Sequence, residues 1–259
     1  MLQVKPVNGG SLASCRKFLS LEPAANVLVL GDCYWPLREA STLYCACEGS
    51  QVVGVCSVFH GFSKPSVALG AATAETKRVL LGTALRDVQD EFISIVPTAE
   101  FELLKEHASV VQLHDEQQMI ASKPRQIEGM TKAVRVPKNA FHEIDEFYTR
   151  QCLPGWIPLQ FKVGPVYCVR QAGKTVSAAG VHIGTPQIAH LGNIATDKAY
   201  RNRGFGSACT SALANHLSAG GRMVSLYVKT GNNAAIHLYE KLGFKKTRDV
   251  VFATMKKHA

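Results

Sequence analysis

"NIATDKAYRNRGFGSACTSALANHL", residues 193–217, is the stretch that decides how the second half of the chain is interpreted. A strand-like run precedes a short basic turn, and apolar residues then recur at helical spacing. The first turn of a helix presents unpaired backbone N–H groups at the positive end of the helix dipole. Two glycines lack the Cβ atoms that would hold an anion away, and two arginines add charge. The stretch therefore predicts a phosphate-binding turn at Arg201, Asn202, Arg203, Gly204, Phe205 and Gly206.

Two other phosphate-binding patterns are incomplete in this chain. "QAGKT", residues 171–175, ends like a P-loop, but Cys168 stands where that pattern requires its first glycine. "GFGSAC", residues 204–209, begins like a dinucleotide-binding fingerprint, but its third glycine position is Cys209. No acidic residue lies at the expected distance downstream. A P-loop and a Rossmann fold are both excluded by these departures.

The composition is that of a globular protein, and the charge distribution predicts that the second half of the chain binds an anion. Of the 259 residues, 46% are apolar and 19% are charged. Residues 1–125 hold 11 basic and 13 acidic side chains, net −2, whereas residues 126–259 hold 18 and 7, net +11. Such an asymmetry is compatible with nucleic acid, an anionic cofactor or an acidic membrane face. The absence of an apolar run long enough to span a bilayer, and of a secretory signal, favours a cytoplasmic protein without a membrane partner.

The eight cysteines are scattered and do not form a recognisable metal-binding pattern. Without a secretory signal they are expected to be reduced thiols. We expect each to pack as a small buried apolar residue, and we expect no metal.

Both halves of the chain predict the same order of elements: strand, turn, strand, strand, helix, strand, helix, strand. In the second half this order runs from "PVYCVRQAG" to "FKKTRDVVFATMKK", whose end is predicted as two short strands. The first half carries a fainter copy from "STLYCACEGS" to "QQMIAS", with a helix predicted over "TAEFELLKEHASV". We predict an α+β fold with two tandem lobes, 1–125 and 126–259, each a mixed, mostly antiparallel sheet flanked by helices. A single mixed sheet without a repeat is the alternative.

A second motif lies about thirty residues after the basic turn, in "TGNNAAIHLYEKLGF", residues 230–244. Asn232 sits where a strand meets a helix, and Tyr239 lies four residues before Gly243. With the basic turn, this motif resembles the GNAT superfamily of acyl-CoA-dependent N-acyltransferases over residues 165–250. The first lobe would be degenerate, because "AETKRVLLGTAL", residues 74–85, has no Gly-x-Gly. The layout is similar to tandem GNAT proteins and to the glycine N-acyltransferase-like branch, in which only the C-terminal lobe binds the cofactor.

The resemblance implies a binding site for acetyl-CoA. Backbone amides of the basic turn, with Ser207, would hold the coenzyme A diphosphate, and the strand ending at Thr196 would pair with the pantetheine arm. An amide of that strand would polarise the thioester carbonyl. Tyr239 would protonate the departing thiolate. The implied cofactor-binding residues are Ile194, Ala195, Thr196, Arg201, Asn202, Arg203, Gly204, Phe205, Gly206, Ser207, Asn232 and Ala235.

Each of these residues also has a purely structural interpretation. A solvated basic turn is the alternative for Arg201 and Arg203, and the adjoining glycines and helix start argue against it. Tyr239 is compatible with packing on a helix face, and Asn232 with a helix cap that also contacts the cofactor.

An amine nucleophile must be neutral, and a lysine-type amine has a pKa of about 10.4, so a base or a water chain is needed. His190 is the candidate base, because it lies on the strand that would flank the thioester and histidine titrates near neutral pH. His182 on the neighbouring strand is a second candidate. A structural role is the alternative for both histidines.

The acceptor site is expected from "AFHEIDEFYTRQCLPGWIP" and "TRDVVFATM". Carboxylates in the first segment would attract a cationic amine, and its aromatic residues would line an apolar slot. A solvated helix face and a packed core are the alternatives. The residues concerned are Glu143, Asp145, Glu146, Phe147, Tyr148 and Trp156.

Together these features predict an acetyl-CoA-dependent N-acetyltransferase acting on a primary amine of a small molecule or peptide by direct attack in a ternary complex. A non-catalytic acyl-CoA-binding or scaffold protein is the first alternative. A nucleic-acid-binding module is the second, and the dispersed basic residues argue against it. The sequence leaves the acceptor, the acyl chain and the oligomeric state open.

Overall fold

The computed structural model describes residues 1–258 and divides into two compact units. The first unit holds residues 1–117 together with the described residues from 248 onward, and the second holds residues 118–247. The chain passes from the first unit to the second within one strand and returns within another.

The first unit has a sheet in the order β1-β2-β3-β4-β5-β12. Its strands are β1 (Leu2–Pro6), β2 (Ser41–Glu48), β3 (Gln51–Phe59), β4 (Ser66–Ala71), β5 (Glu91–Pro97), the start of β6 (Ala108–Ala121) and most of β12 (Lys245–Lys257). Its α-helices are α1 (Gly9–Leu19), α2 (Val27–Gly31), α3 (Ala74–Ala84) and α4 (Phe101–Lys105). The apolar side of α3 packs on the sheet, with Leu80 and Leu81 fully buried.

The second unit has the strand order β11-β10-β9-β8-β7, with the end of β6 beside β11. Its strands are β7 (Val134–Arg135), β8 (Tyr167–Gln171), β9 (Lys174–Gly184), β10 (Ile188–Thr196) and β11 (Met223–Lys229). Its α-helices are α5 (Phe141–Arg150), α6 (Phe205–Ala219) and α7 (Asn233–Lys241). Helix α6 buries Leu213 and Leu217 against one part of the core, and α5 buries Phe147 and Tyr148 in another.

The predicted fold class is confirmed. Each unit is a mixed sheet flanked by helices: β4–β5 and β10–β11 are parallel pairs, whereas β2–β3, β3–β4, β8–β9 and β9–β10 are antiparallel. The order β2-β3-β4-α3-β5-α4-β6 is repeated as β8-β9-β10-α6-β11-α7-β12. The repeat predicted from element order is therefore present.

Two predicted elements differ from the structure. The final segment is one strand of 13 residues, not two short ones, because the polar run at its start keeps the extended conformation. The helix predicted over residues 98–110 ends at Lys105, and β6 begins at Ala108. β-Branched Val110 and Val111 favour the strand.

The compact units also differ from the predicted domain ranges. The end of β12 pairs with β5, from Val250 opposite Pro97 to Lys256 opposite Glu91, and so lies in the first unit. The first unit therefore ends at Gln117 along the chain and regains residues from Arg248 onward. The assignment of a degenerate first lobe and a catalytic second lobe remains a prediction.

Candidate active site

A cavity of about 470 Å³ lies in the second unit, beside the end of β10 and between the starts of α6 and α7. Strands β10 and β11 pair in parallel only from Ile188 opposite Met223 to Leu191 opposite Leu226, whereas β10 continues to Thr196. A parallel sheet would otherwise continue the ladder, so the splay leaves room for a ligand beside the backbone of β10. The cavity is lined by Gln151, Leu153, Ile194, Ala195, Thr196, Tyr200, Arg201, Asn202, Gly204, Phe205, Gly206, Ser207, Asn232, Ala234, Ala235, Leu238 and Tyr239.

The basic turn has the backbone geometry of an anion-binding nest. Asn202 has φ +59° and Gly204 has φ +76°, whereas Arg201 has φ −66° and Arg203 is not among the residues of positive φ. Alternating signs along consecutive residues turn successive N–H groups toward one side, which creates a concave positive surface. Gly204 is the residue that this geometry requires, because other side chains are strained at that φ.

Helix α6 begins at this turn without a side-chain cap. Its first turn carries no acidic residue, so its N–H groups and the helix dipole attract an external anion. Gly206 allows the helix to approach β10, because a Cβ there would lie 3.1 Å from the Thr196 hydroxyl oxygen. The equivalent helix of the first unit, α3, is closed by Thr73, whose hydroxyl accepts the Thr76 N–H, and carries Glu75 in its first turn.

Helix α7 forms the opposite wall of the cavity. Asn232 caps it by accepting the Ala235 N–H at 3.2 Å. Tyr239 is 7% exposed, lies 5.9 Å from the Phe244 ring between centroids, and lines the cavity. Burial raises the pKa of Tyr239 to about 12, so the phenol is protonated at neutral pH.

The two arginines of the turn lie differently. The guanidinium of Arg201 donates through Nε to the carbonyl of Thr196 at 3.3 Å and lines the cavity. The guanidinium of Arg203 lies over the Tyr200 ring, 5.3 Å from its centroid, and is not among the cavity-lining residues. This cation–π contact holds Arg203 against Tyr200, which does line the cavity.

The two histidines proposed as bases lie outside the cavity lining. His190 is 3% exposed, its Nδ1 lies 2.9 Å from the Ser225 hydroxyl, and its ring centroid lies 4.5 Å from that of Tyr227, with the ring planes tilted by 54°. It belongs to the paired part of β10, before the splay. His182 is half-buried, 6.4 Å from His190 between ring centroids, and burial lowers its pKa to about 4.

The carboxylates proposed to attract an amine are engaged within the protein. Glu143 accepts two hydrogen bonds from the Arg170 guanidinium, from Nε to Oε1 at 2.7 Å and from Nη2 to Oε2 at 2.8 Å. This ion pair lowers the pKa of the Glu143 carboxyl. Asp145 accepts from the Trp156 indole at 2.9 Å. Tyr148 is fully buried beside Trp156, with Phe147 buried nearby. Most of these side chains therefore stabilise the fold around α5 by ion pairing, hydrogen bonding or packing.

Gln151 and Leu153 of the cavity wall lie in the loop after α5, within the segment expected to form the acceptor site. They reach the cavity from more than 40 residues before β10 ends. No local pattern places them beside the cofactor-binding residues, because this contact depends on how α5 packs. Tyr200, Ala234 and Leu238 lie within the two predicted motifs and follow from their helical and turn positions.

The described residues lack a metal-binding group, a membrane-spanning helix and a disulfide. Among residues 1–258, no group of three or more His, Cys, Asp or Glu side chains is arranged to hold a metal ion. Within the same range, none of the helices combines the length and the apolar character needed to cross a membrane. All eight cysteines are unpaired; seven are buried, and Cys152 is exposed, contrary to the expectation for that residue.

Comparison with solved structures defines the class of this fold. A protein of the GNAT family from Novosphingobium aromaticivorans is 22% identical, with a TM-score of 0.62, and covers 79% of this chain and 89% of its own. A tandem GNAT protein from the clavulanic acid biosynthesis pathway is 14% identical, with a TM-score of 0.63. The match covers 100% of this chain and 99% of that protein. The two units therefore have the GNAT fold in tandem.

Sequence comparison agrees and is more specific for the second half. The family model described as FR47-like protein matches residues 168–253. A mycothiol acetyltransferase from Gordonia bronchialis is 48% identical over 52 residues, which cover 20% of this chain and 17% of that relative's length. The FR47-like region contains the splayed strands, the basic turn and α7, and the alignment with the mycothiol acetyltransferase spans less than a fifth of that relative's length.

Proposed function

We propose that this protein is an acetyl-CoA-dependent N-acetyltransferase whose second unit binds the cofactor. The observation that carries the proposal is the uncapped start of α6, preceded by a turn of alternating φ, in the wall of the cavity beside the end of β10. Its volume lies within the range of small-molecule sites. Ile194, Ala195 and Thr196 would hold the pantetheine arm, and the turn with Ser207 would hold the diphosphate.

Acetyl-CoA supplies an acetyl group that its thioester activates toward an amine. A backbone amide of β10 would polarise the thioester carbonyl. The buried phenol of Tyr239 would donate its proton to the departing sulfur, which its raised pKa allows because the group enters the reaction protonated. The acceptor is a small molecule or peptide amine, and the protein is proposed to act in the cytoplasm.

The base remains a proposal centred on His190. Because it is buried beside Ser225 and Tyr227, it would receive the amine proton through an intervening group or water. His182 is less suited, since a pKa of about 4 makes it a weak proton acceptor. For His190→Ala we expect kcat/KM to lose the decrease that protonation of the base causes at low pH. For Ser225→Ala we expect that decrease to occur at a different pH. A pH–rate profile that is unaltered in His190→Ala excludes this role.

Calorimetry and a thiol-release assay test the proposed function. We expect one acetyl-CoA per chain to bind, because α3 in the first unit is closed by Thr73 and Glu75 whereas α6 is open. The acceptor screen measures free thiol released from acetyl-CoA with amino acids, polyamines, aminoglycosides and peptides. Absence of binding overturns the proposal. Binding without turnover on the whole panel favours the acyl-CoA-binding alternative.

A further inference from the structure

A strained residue lies on β10 next to the predicted pantetheine-binding backbone. Asn193 has φ +53°, in the left-handed region that non-glycine residues seldom adopt. The register between β10 and β9 shifts between Gly192 and Ala195, so Asn193 lies within an irregularity of the strand. A bulge of this kind redirects the chain next to a functional site.

The conformation of Asn193 sets the direction of the next peptide group. Rotation about φ turns the carbonyl of Asn193 and the N–H of Ile194 together, because the peptide that joins them is planar. In a regular strand these groups would follow the alternation of the ladder. The left-handed conformation at Asn193 therefore determines where the Ile194 N–H is aimed, beside the cavity that Ile194 lines.

One buried side chain holds Asn193 in place. The Gln160 side-chain oxygen Oε1 accepts a hydrogen bond from the Asn193 side-chain nitrogen Nδ2 at 2.7 Å. The same oxygen accepts from the Ile157 backbone N–H at 3.3 Å. Gln160 is 2% exposed and belongs to the short 3₁₀ helix Pro158–Lys162. Its oxygen is thus fixed by the N-cap residue of its own helix and presents a rigid acceptor to Asn193.

We propose that Gln160 is a positioning residue that clamps Asn193 in its left-handed conformation, and thereby aims the Ile194 amide at the thioester carbonyl of bound acetyl-CoA. This inference rests on the proposed function. Gln160 does not touch the reacting atoms and acts through Asn193. Strained backbone persists where its surroundings hold it, and the Gln160–Asn193 hydrogen bond is that restraint here.

The test uses full-length protein with acetyl-CoA labelled with ¹³C at the carbonyl. Isotope-edited infrared spectroscopy reads the carbonyl stretch, which falls when an amide polarises the bond, and no acceptor is needed. Wild type is expected to lower the stretch relative to free acetyl-CoA. Gln160→Leu and Asn193→Ala are expected to lose most of this shift while acetyl-CoA affinity changes by less than about threefold. In turnover, kcat is expected to fall about tenfold or more, as for a misaimed oxyanion donor.

Asn193→Gly is the matched control, because glycine adopts positive φ without a clamp. We expect it to keep the shift and to restore it in Gln160→Leu/Asn193→Gly, which a merely structural role of Gln160 does not predict. Retention of the shift in both Gln160→Leu and Asn193→Ala overturns the inference, as does an unshifted carbonyl in wild type that binds acetyl-CoA. Should Gln160→Leu fail to fold, the comparison of Asn193→Ala with Asn193→Gly tests the inference instead. Failure of wild type to bind acetyl-CoA instead overturns the proposed function.

Discussion

Tyr239 presents a single oxygen to the cavity from a buried ring, so its role can be tested by removing that atom. Tyr239→Phe keeps the ring and its packing against Phe244. We expect kcat to fall roughly 100-fold, because the departing thiolate loses its proton donor, while acetyl-CoA affinity stays within about threefold. Steady-state thiol release and calorimetry measure the two quantities. Full turnover in this variant removes Tyr239 as the general acid.

Asp32 is a residue of the first unit whose ionisation is linked to stability. It is 7% exposed, and burial raises its pKa from 3.8 to about 7, although the Ser57 hydroxyl donates to it at 2.6 Å. A raised carboxyl pKa means that the folded state favours the protonated form. Stability is therefore full below the ordinary pKa and is lost as pH rises toward about 7.

Asp32→Asn should remove this dependence. Between about pH 4 and pH 8 we expect the variant to gain stability relative to wild type, by at most about 4 kcal/mol. Urea unfolding at the two pH values measures the difference. Ser57→Ala is the companion variant, because losing the hydroxyl should raise the carboxyl pKa further and extend the decline to higher pH. Parallel pH curves for wild type and Asp32→Asn contradict the assignment.

At the scale of elements, the open start of α6 is the feature that distinguishes the second unit. Ser207 lies in the first turn of this helix and lines the cavity. Ser207→Glu places a carboxylate where the diphosphate is proposed to bind, yet an acidic residue in a first turn stabilises the helix. We expect acetyl-CoA affinity to fall about 100-fold or more without loss of thermal stability.

Ser207→Gln is the matched control for this prediction, since it adds nearly the same volume without charge. Its affinity should fall less than that of Ser207→Glu, and the difference should shrink at high salt because screening weakens the repulsion. Calorimetry at two ionic strengths makes the comparison. Equal affinities for the Glu and Gln variants would place the diphosphate elsewhere.

Local patterns predicted the elements that carry the proposed site. Strand β10, the basic turn, α6 and α7 follow from periodicity and from glycine and asparagine positions, which depend only on neighbouring residues. Gln160 was not predicted to contact β10, and the loop after α5 was expected at the acceptor site rather than beside the cofactor-binding residues, because these contacts join segments distant in sequence. The position of His190 in the paired part of β10 also required the sheet register, which one strand does not specify.

At the scale of the molecule, the chain does not divide into units by sequence alone. Strand β6 begins in the first unit and ends in the second, and β12 does the reverse. Met255 in β12 is fully buried in the core of the first unit, opposite Phe92 of β5. The last strand of the chain therefore completes the sheet with which the chain begins.

Met255→Ala tests this exchange in the intact protein. Truncating a buried methionine costs about 2–5 kcal/mol, and the loss should fall on the first unit. Hydrogen exchange should speed up in β5, residues 91–97, while α6, residues 205–219, keeps its protection. Lys256→Ala is the control, because its exposed contact with Asp90 contributes little. Faster exchange in α6 with β5 unchanged would assign the C-terminal strand to the second unit, as a division of the chain at residue 125 implies.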